Sequence, residues 1–339
     1  MGFVGKMGKL ATKELKKLLS CIKKDSRVIV PPLPGFDSGV HVLDKKCLVV
    51  STDPCIGVPE KWFGWLLIHY AASDVALFGA RPEFCTINLL GNSSTKPETF
   101  YNIMSQVCKA AEELKIAVVT GHTGTYQGLS TLLGVCTAYG TTEKEKLITP
   151  GGAKPKDHIL CVKPVGLETA VNFALTHTTL AERLFGEVRT RELSELVTMQ
   201  SCVKEALLLA EIGGVHAMHD ATEGGLTAAL NEMAEASKVG FEINFEKIQI
   251  KNEAKVLCKW FKLLDEQVLS MSSTGTVLAA VSPEAKDKVQ KELHKKGIEA
   301  SFLGIFTKKP RRILVKDGKE TPFPEKPDDP YERILSGKL

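Results

Sequence analysis

The sequence predicts a two-domain protein of the α/β (α+β) class, and three observations carry that expectation. Its 339 residues are enough for about two domains of roughly 150 residues each, with apolar content to fill a core in both. Apolar periodicity gives way over residues 141–157, TTEKEKLITPGGAKPKD, to charge, glycine and proline, the composition of a linker. On either side of that break, short strand-like apolar runs alternate with longer segments of helical spacing, so neither half is all-α or all-β. The domains are accordingly set at 1–148 and 149–339.

In the first half the short β-branched runs predict strands over 40–43 and 47–51, then 84–90, 116–120 and 129–138. Helices are expected over 62–78 and 97–114. The first of these, around FGWLLIHYAASDVALFGA, is apolar but broken by His69, Ser73 and Asp74, so it reads as a buried helix rather than a membrane span. In the second half a strand over 158–162 precedes helices between 167 and 210. A strand over 214–218 then leads into a helix after Gly225, where Leu226, Ala229, Leu230 and Met233 recur at i, i+3, i+4 and i+7. Strands over 241–245, 276–281, 301–305 and 312–315, with helices over 253–261 and 283–296, complete the chain.

Composition removes several classes of function. Lysine and arginine total 44 against 40 aspartates and glutamates, a net charge of +4, too small a bias to imply nucleic acid or an anionic membrane as partner. The lysines cluster at 13–24, 286–296 and 308–309, and solvated faces account for them. Nine cysteines, an odd number without a Cys-x-x-Cys pair, suit reduced thiols rather than a disulfide framework or zinc site. The start, MGFVGKMGKL, has no apolar leader. The expected location is the cytoplasm, with a small-molecule substrate, no nucleic acid and no membrane partner.

One segment raises a physical problem. HDATEGGLTAALNEMAEAS, residues 219–237, places Asp220 and Glu223 beside Gly224 and Gly225 at a helix start. Helix N-termini attract anions, and glycines let a backbone approach a phosphate closely. Carboxylates there repel a phosphate unless a cation stands between them. Three more aspartates are placed with comparable oddity. Asp37 precedes a strand, Asp53 is read as ending the strand CLVVSTDP, and Asp74 shares a helical face with Leu67, Ala71 and Phe78. Taken alone, Asp37 and Asp53 are ordinary turn chemistry. An ionised group on an apolar helix stripe costs several kcal/mol unless paired or metal-bound.

Other motifs are absent or weak. There is no P-loop, no Gly-x-Gly-x-x-Gly after a strand, no nucleophile elbow and no His-Glu-x-x-His. His216 and His219 lie three apart on an expected strand, hence on opposite faces, and are read as structural. TGHTGTYQGL, residues 120–129, is read as a turn in which His122 and Thr123 can hold phosphate or water.

The order FDSGVHVL, LVVSTDP, ASDVALFGARPEF, VVTGHTG, GGAKPKDHILCVKPVGLE, HDATEGGL and SSTGTVLAAV resembles the aminoimidazole-ribonucleotide (AIR) synthase-like superfamily across nearly the whole chain. Within it, the pattern is nearest to the hydrogenase-maturation HypE branch and archaeal AIR-synthase-related proteins. The resemblance implies a homodimer in which N-terminal domains pair into a β-barrel, each flanked by a C-terminal α/β domain. It implies ATP with Mg2+ held by Asp37, Asp53, Asp74 and Asp220. Gly121, Thr123, Thr222, Gly224 and Gly225 fall at nucleotide-side positions, and Asp37, His122 and Asp220 at catalytic ones. Magnesium prefers oxygen ligands and bridges carboxylates to phosphates, which resolves the problem set by the acidic helix start. The N-terminal GFVGKMGK, with Gly2, Gly5, Gly8, Lys6 and Lys9, is expected to cover the phosphates when nucleotide is bound.

Superfamily members use ATP to phosphorylate an oxygen, often of an amide. Three departures bear on the substrate. The sequence ends ILSGKL without the terminal cysteine of HypE, GFVGKMGK lacks the cysteine of selenophosphate synthases, and His122 stands where the purine enzyme has an acid. The expectation is an ATP-dependent enzyme acting on a small amide, carbonyl or phosphate-accepting substrate. The alternative is a nucleotide-binding regulator or scaffold without turnover.

Overall fold

The computed structural model describes residue 10 and residues 12–337, so the N-terminal glycine-rich cover lies outside the described residues. The first half runs α1 (Thr12–Leu19), β1 (Val28–Val30), β2 (Ser38–Leu43), β3 (Lys46–Ile56), α2 (Glu60–Leu77), β4 (Phe84–Gly91), α3 (Pro97–Leu114), β5 (Ala117–Thr125) and β6 (Leu133–Glu143). Its strands form one sheet in the order β1-β2-β3-β6-β4-β5. Among the described residues, the β4–β5 pair is the only parallel one in this sheet.

The second half contains β7 (His158–Val162), α4 (Leu167–Thr176), α5 (Thr178–Phe185), α6 (Glu187–Glu195), α7 (Val203–Ile212), β8 (Val215–Asp220), α8 (Gly225–Ser237) and β9 (Gly240–Asn244). It continues with α9 (Asn252–Trp260), α10 (Asp265–Leu269), β10 (Val277–Val281), α11 (Lys286–Lys295), β11 (Ala300–Thr307), β12 (Arg312–Lys316), β13 (Lys319–Pro322) and α12 (Tyr331–Leu335). A second sheet, β13-β12-β9-β11-β7-β10-β8, is covered on one face by α8, through Leu226, Leu230 and Met233. Leu160, Val162, Val277 and Ala279 face the other way, into the larger core shared with α4 and α7. Alternating inward and outward residues on a sheet covered on both faces explain the near-continuous burial of β7 and β10.

α2 is the element around which the molecule is organised. It is buried along almost its whole length, from Phe63 to Leu77, as expected of a helix that is apolar all round. It lies on β3, β6 and α3 of its own half and on α7 and β8 of the other. Gly64 permits the close crossing with α3: a Cβ there would stand 2.3 Å from the carbonyl oxygen of Ile103. No helix among the described residues is long and apolar enough to cross a membrane.

Three local expectations need correction. The segment read as a turn after residue 120 remains extended, because β5 stays paired with β4 from Thr86↔Thr120 to Gly91↔Thr125. Ladder pairing overrides the turn propensity of TGHTG. Gly121 serves this pairing, since a Cβ on it would meet the Ile87 carbonyl at 2.3 Å. The following strand starts at Leu133 rather than 129. Asp53 does not end its strand: β3 runs on to Ile56 with Asp53 opposite Cys136 and Pro54 opposite Val135. Pro54 is tolerated because β2 pairs with β3 only as far as Ser51, so beyond it β3 has a free edge that needs no N–H donor.

Candidate active site

Four aspartates converge from four different elements. Asp37 immediately precedes β2, Asp53 is on β3, Asp74 is on α2 and Asp220 ends β8. The charges of Asp53, Asp37 and Asp220 all act on Asp74. Asp74 and Asp220 are buried, while Asp37 and Asp53 are half-buried, so the cluster has a dry floor and an open side. Burial first, and then the three neighbouring carboxylates, push the Asp74 carboxyl well above its usual range, against the Ser51 hydrogen bond. Ser51 Oγ lies 2.6 Å from Asp74 Oδ2 and 3.0 Å from the main-chain oxygen of Asp37. A hydroxyl carries one proton, so Ser51 donates to one of these two oxygens at a time.

His219, read from the sequence as structural, belongs to the cluster. Its Nδ1 is 3.6 Å from Asp220 Oδ1 and 3.8 Å from Asp37 Oδ2, and its Nε2 is 2.9 Å from Glu232 Oε2. Burial alone would lower its pKa. The contacts with Asp220 and Glu232 and the charge of Asp37 outweigh burial and hold the imidazole well above its usual range. A protonated His219 is a counter-charge rather than a ligand. The opposite-face reading of His216 holds, for it faces away to Asp157 at 2.9 Å.

The residues fit a divalent cation. Carboxylate oxygens of Asp37 and Asp220 lie within 4.8 Å of one another, and Asp220 Oδ1 is buried with no hydrogen-bond partner. A buried carboxylate oxygen without a hydrogen bond costs free energy. A hard cation with oxygen ligands at this point would remove that cost.

The remaining sequence candidates are distributed differently. Thr222 is half-buried at the turn into α8, where its carbonyl accepts from the Gly225 amide at 2.9 Å. The Gly224 amide is already taken, donating to Asp329 Oδ2 at 2.9 Å, and a Cβ on Gly224 would meet Ala228 and Pro327. A Cβ on Gly225 would meet the Met271 carbonyl at 2.3 Å. Both glycines thus allow close packing of the α8 start against its own half. Gly121, His122 and Thr123 lie on β5, separated from β3 by β4 and β6, and a single chain does not bring them to the aspartates. His122 Nε2 is hydrogen-bonded to the Tyr126 hydroxyl. The two line an open cavity with Asn88, Leu90 and Leu129.

The sequence profile described as AIR synthase related protein, N-terminal domain, matches residues 35–142, and that described as AIR synthase related protein, C-terminal domain, matches residues 154–317. The chain belongs to the AIR synthase related family. A hydrogenase expression/formation protein of Methanocaldococcus jannaschii is 25% identical over 286 residues, covering 83% of this chain and 82% of the relative. The carbamoyl dehydratase HypE of Rhizobium leguminosarum bv. viciae is 26% identical over 280 residues, covering 80% and 76%. A hydrogenase maturation protein HypE, solved in complex with ATP, superimposes with a TM-score of 0.69 at 17% identity over 96% of this chain and 97% of that one. This chain therefore shares the fold of that HypE, and its four aspartates sit where its two halves meet.

Proposed function

We propose that this AIR synthase related chain is an ATP- and Mg2+-dependent enzyme that phosphorylates an oxygen of a small amide, carbonyl or phosphate-accepting substrate. The observation that carries this reading is the convergence of Asp37, Asp53, Asp74 and Asp220 around the buried Oδ1 of Asp220, which has no hydrogen-bond partner. Asp37 and Asp220 would hold magnesium, with Asp53 and Asp74 beside them. When bound, the ion supplies charge neutralisation for a triphosphate, which carboxylates alone would repel. His219 limits the mutual repulsion of the carboxylates, and Ser51 fixes Asp74 against β3. Phosphoryl transfer asks little covalent chemistry of a protein, so holding and orienting the reactants accounts for most of the catalysis. The same reading makes the working form a homodimer joined through the first-half sheet, whose edge strand β5 is exposed along its length.

Calorimetric titration with a non-hydrolysable ATP analogue tests the reading. Binding is expected only with magnesium present, and Asp220→Asn should weaken it by at least about tenfold, the cost of removing one charged ligand contact. Magnesium-independent binding, or an Asp220→Asn variant with the affinity of the unaltered protein, would remove the aspartates from the nucleotide site.

A further inference from the structure

His216 turns away from the aspartate cluster and meets a different carboxylate. Its Nδ1 is 3.0 Å from Asp157 Oδ1 and 2.9 Å from Oδ2. Its Nε2 is 3.3 Å from Lys154 Nζ. Carboxylate, imidazole and amine thus stand in series. Asp157 is buried, the His216 side chain is 26% exposed and Lys154 is exposed, so the series runs from a dry end out to solvent. None of the three belongs to the site proposed above.

The backbone is bent to hold this arrangement. Residues 154–157 form a β-turn closed by the Asp157 amide, which donates to the Lys154 carbonyl at 3.0 Å. Lys156 sits in that turn at φ 81°, a left-handed position that ordinarily takes glycine. Its amide is held there by the Phe306 carbonyl at 2.8 Å. The Lys154 amide in turn donates to Asp157 Oδ2 at 2.8 Å. Just upstream, Gly152 lies so close to β8 that a Cβ on it would stand 2.0 Å from the His216 carbonyl oxygen. The Ala153 amide donates to Ser237 Oγ at 3.0 Å. The chain carrying the amine is therefore fixed against the strand carrying the imidazole.

An ionised carboxylate only accepts, so Nδ1 of His216 carries a proton toward Asp157 and Nε2 of the neutral ring presents its lone pair to Lys154. That is how a general base is held by an acid, here with an amine where a hydroxyl or thiol is more usual. We infer that Lys154 is an acyl-acceptor lysine, modified by small acyl phosphates with His216 as the base and Asp157 as its positioning residue. Once the ammonium has released one proton to water, the Nζ lone pair attacks the acyl carbon. The N–C bond forms and a second Nζ proton passes to His216 Nε2. The C–O bond to phosphate breaks, with its electron pair leaving on the phosphate, and His216 returns the proton to water. Lysine ends as a neutral secondary amide, and no oxidant or reductant takes part. An acyl phosphate suits this arrangement because its leaving group departs as an anion and asks no proton of the base. Neither nucleotide nor magnesium is needed for this reactivity.

Incubating the full chain with acetyl phosphate and following acetyl occupancy at each lysine by mass spectrometry tests the assignment. Lys156, exposed on the same turn, is the internal reference. Lys154 is expected to gain acetyl at least about tenfold faster than Lys156, a modest share of what a positioned base contributes. His216→Gln keeps a polar side chain but removes the base, and should bring Lys154 down to the Lys156 rate. Asp157→Asn should lower the Lys154 rate while that of Lys156 holds. Loosening of the turn would expose both amines alike, so the ratio of the two rates separates a positioned base from a structural effect. Equal rates in the unaltered protein, or an unchanged ratio in His216→Gln, would overturn the assignment. A parallel fall at both lysines in His216→Gln would also overturn it, since the reactivity would then belong to the turn. An unchanged ratio in Asp157→Asn would remove Asp157 from its role.

Discussion

Replacing Glu168 by glutamine should change how stability depends on pH. Burial raises the Glu168 carboxyl to about 7, with Asp329 and Glu223 pushing the same way and the two Thr274 hydrogen bonds opposing. The ordinary value is 4.5, so between 4.5 and 7 the folded chain binds a proton that the unfolded chain has released. Stability from this group is complete below pH 4.5, falls as pH rises towards 7 and stays low above it. At about 1.4 kcal/mol per tenfold change in proton affinity, the upper figure is about 3 kcal/mol. Glutamine is isosteric, neutral at every pH, and its amide oxygen can still accept from Thr274. The variant should match the unaltered protein near pH 4.5 and exceed it by up to about 3 kcal/mol at pH 8. Urea unfolding followed by tryptophan fluorescence across this range gives the difference directly. A difference that is constant with pH would refute the reasoning, because it would mean that Glu168 carries the same charge in the folded chain as in the unfolded one.

Two further outcomes follow from packing. Gly64→Ala drives a methyl group into the Ile103 carbonyl and should cost about 2–4 kcal/mol by overpacking the α2–α3 crossing; a urea midpoint unchanged within error would show that the helices can separate freely. Sedimentation at micromolar concentration should give the mass of two chains, and Val119→Lys, at an exposed position of β5, should shift it to one, since a charge on a pairing edge opposes association. A single-chain mass for the unaltered protein would end the dimer assignment.

Asp74 was legible in the sequence because it breaks a local rule on an apolar helix stripe, and Asp220 because it stands at a glycine-rich helix start, whereas Asp37 and Asp53 read as ordinary turn residues and entered through the family resemblance. Helices such as α2 and α3 were legible through their length and periodicity. Glu168 was not, since an acid in the first turn of a helix is ordinary dipole chemistry, and only Thr274, 106 residues away, reveals what holds it. His219 escaped for a related reason. Strand alternation correctly separated it from His216, but spacing within one segment says nothing about Asp37 and Glu232 arriving from elsewhere. The β5 segment was misread because glycine- and threonine-rich composition signals a turn, whereas eight residues of β4 keep it extended.

The placement of α2 has a consequence for how such a protein can be altered by exchange of parts. Its apolar circumference is covered partly by the first sheet and partly by α7 and β8, so a fragment cut at the linker would expose the side that normally meets the second half. Chimeras that join a first half from one relative to a second half from another must therefore match side chains along this helix as closely as within a core. A crossover placed in the linker respects the chain but not the packing. Useful crossovers lie where few buried contacts are shared, and substitutions on α2 and α7 should be inherited together.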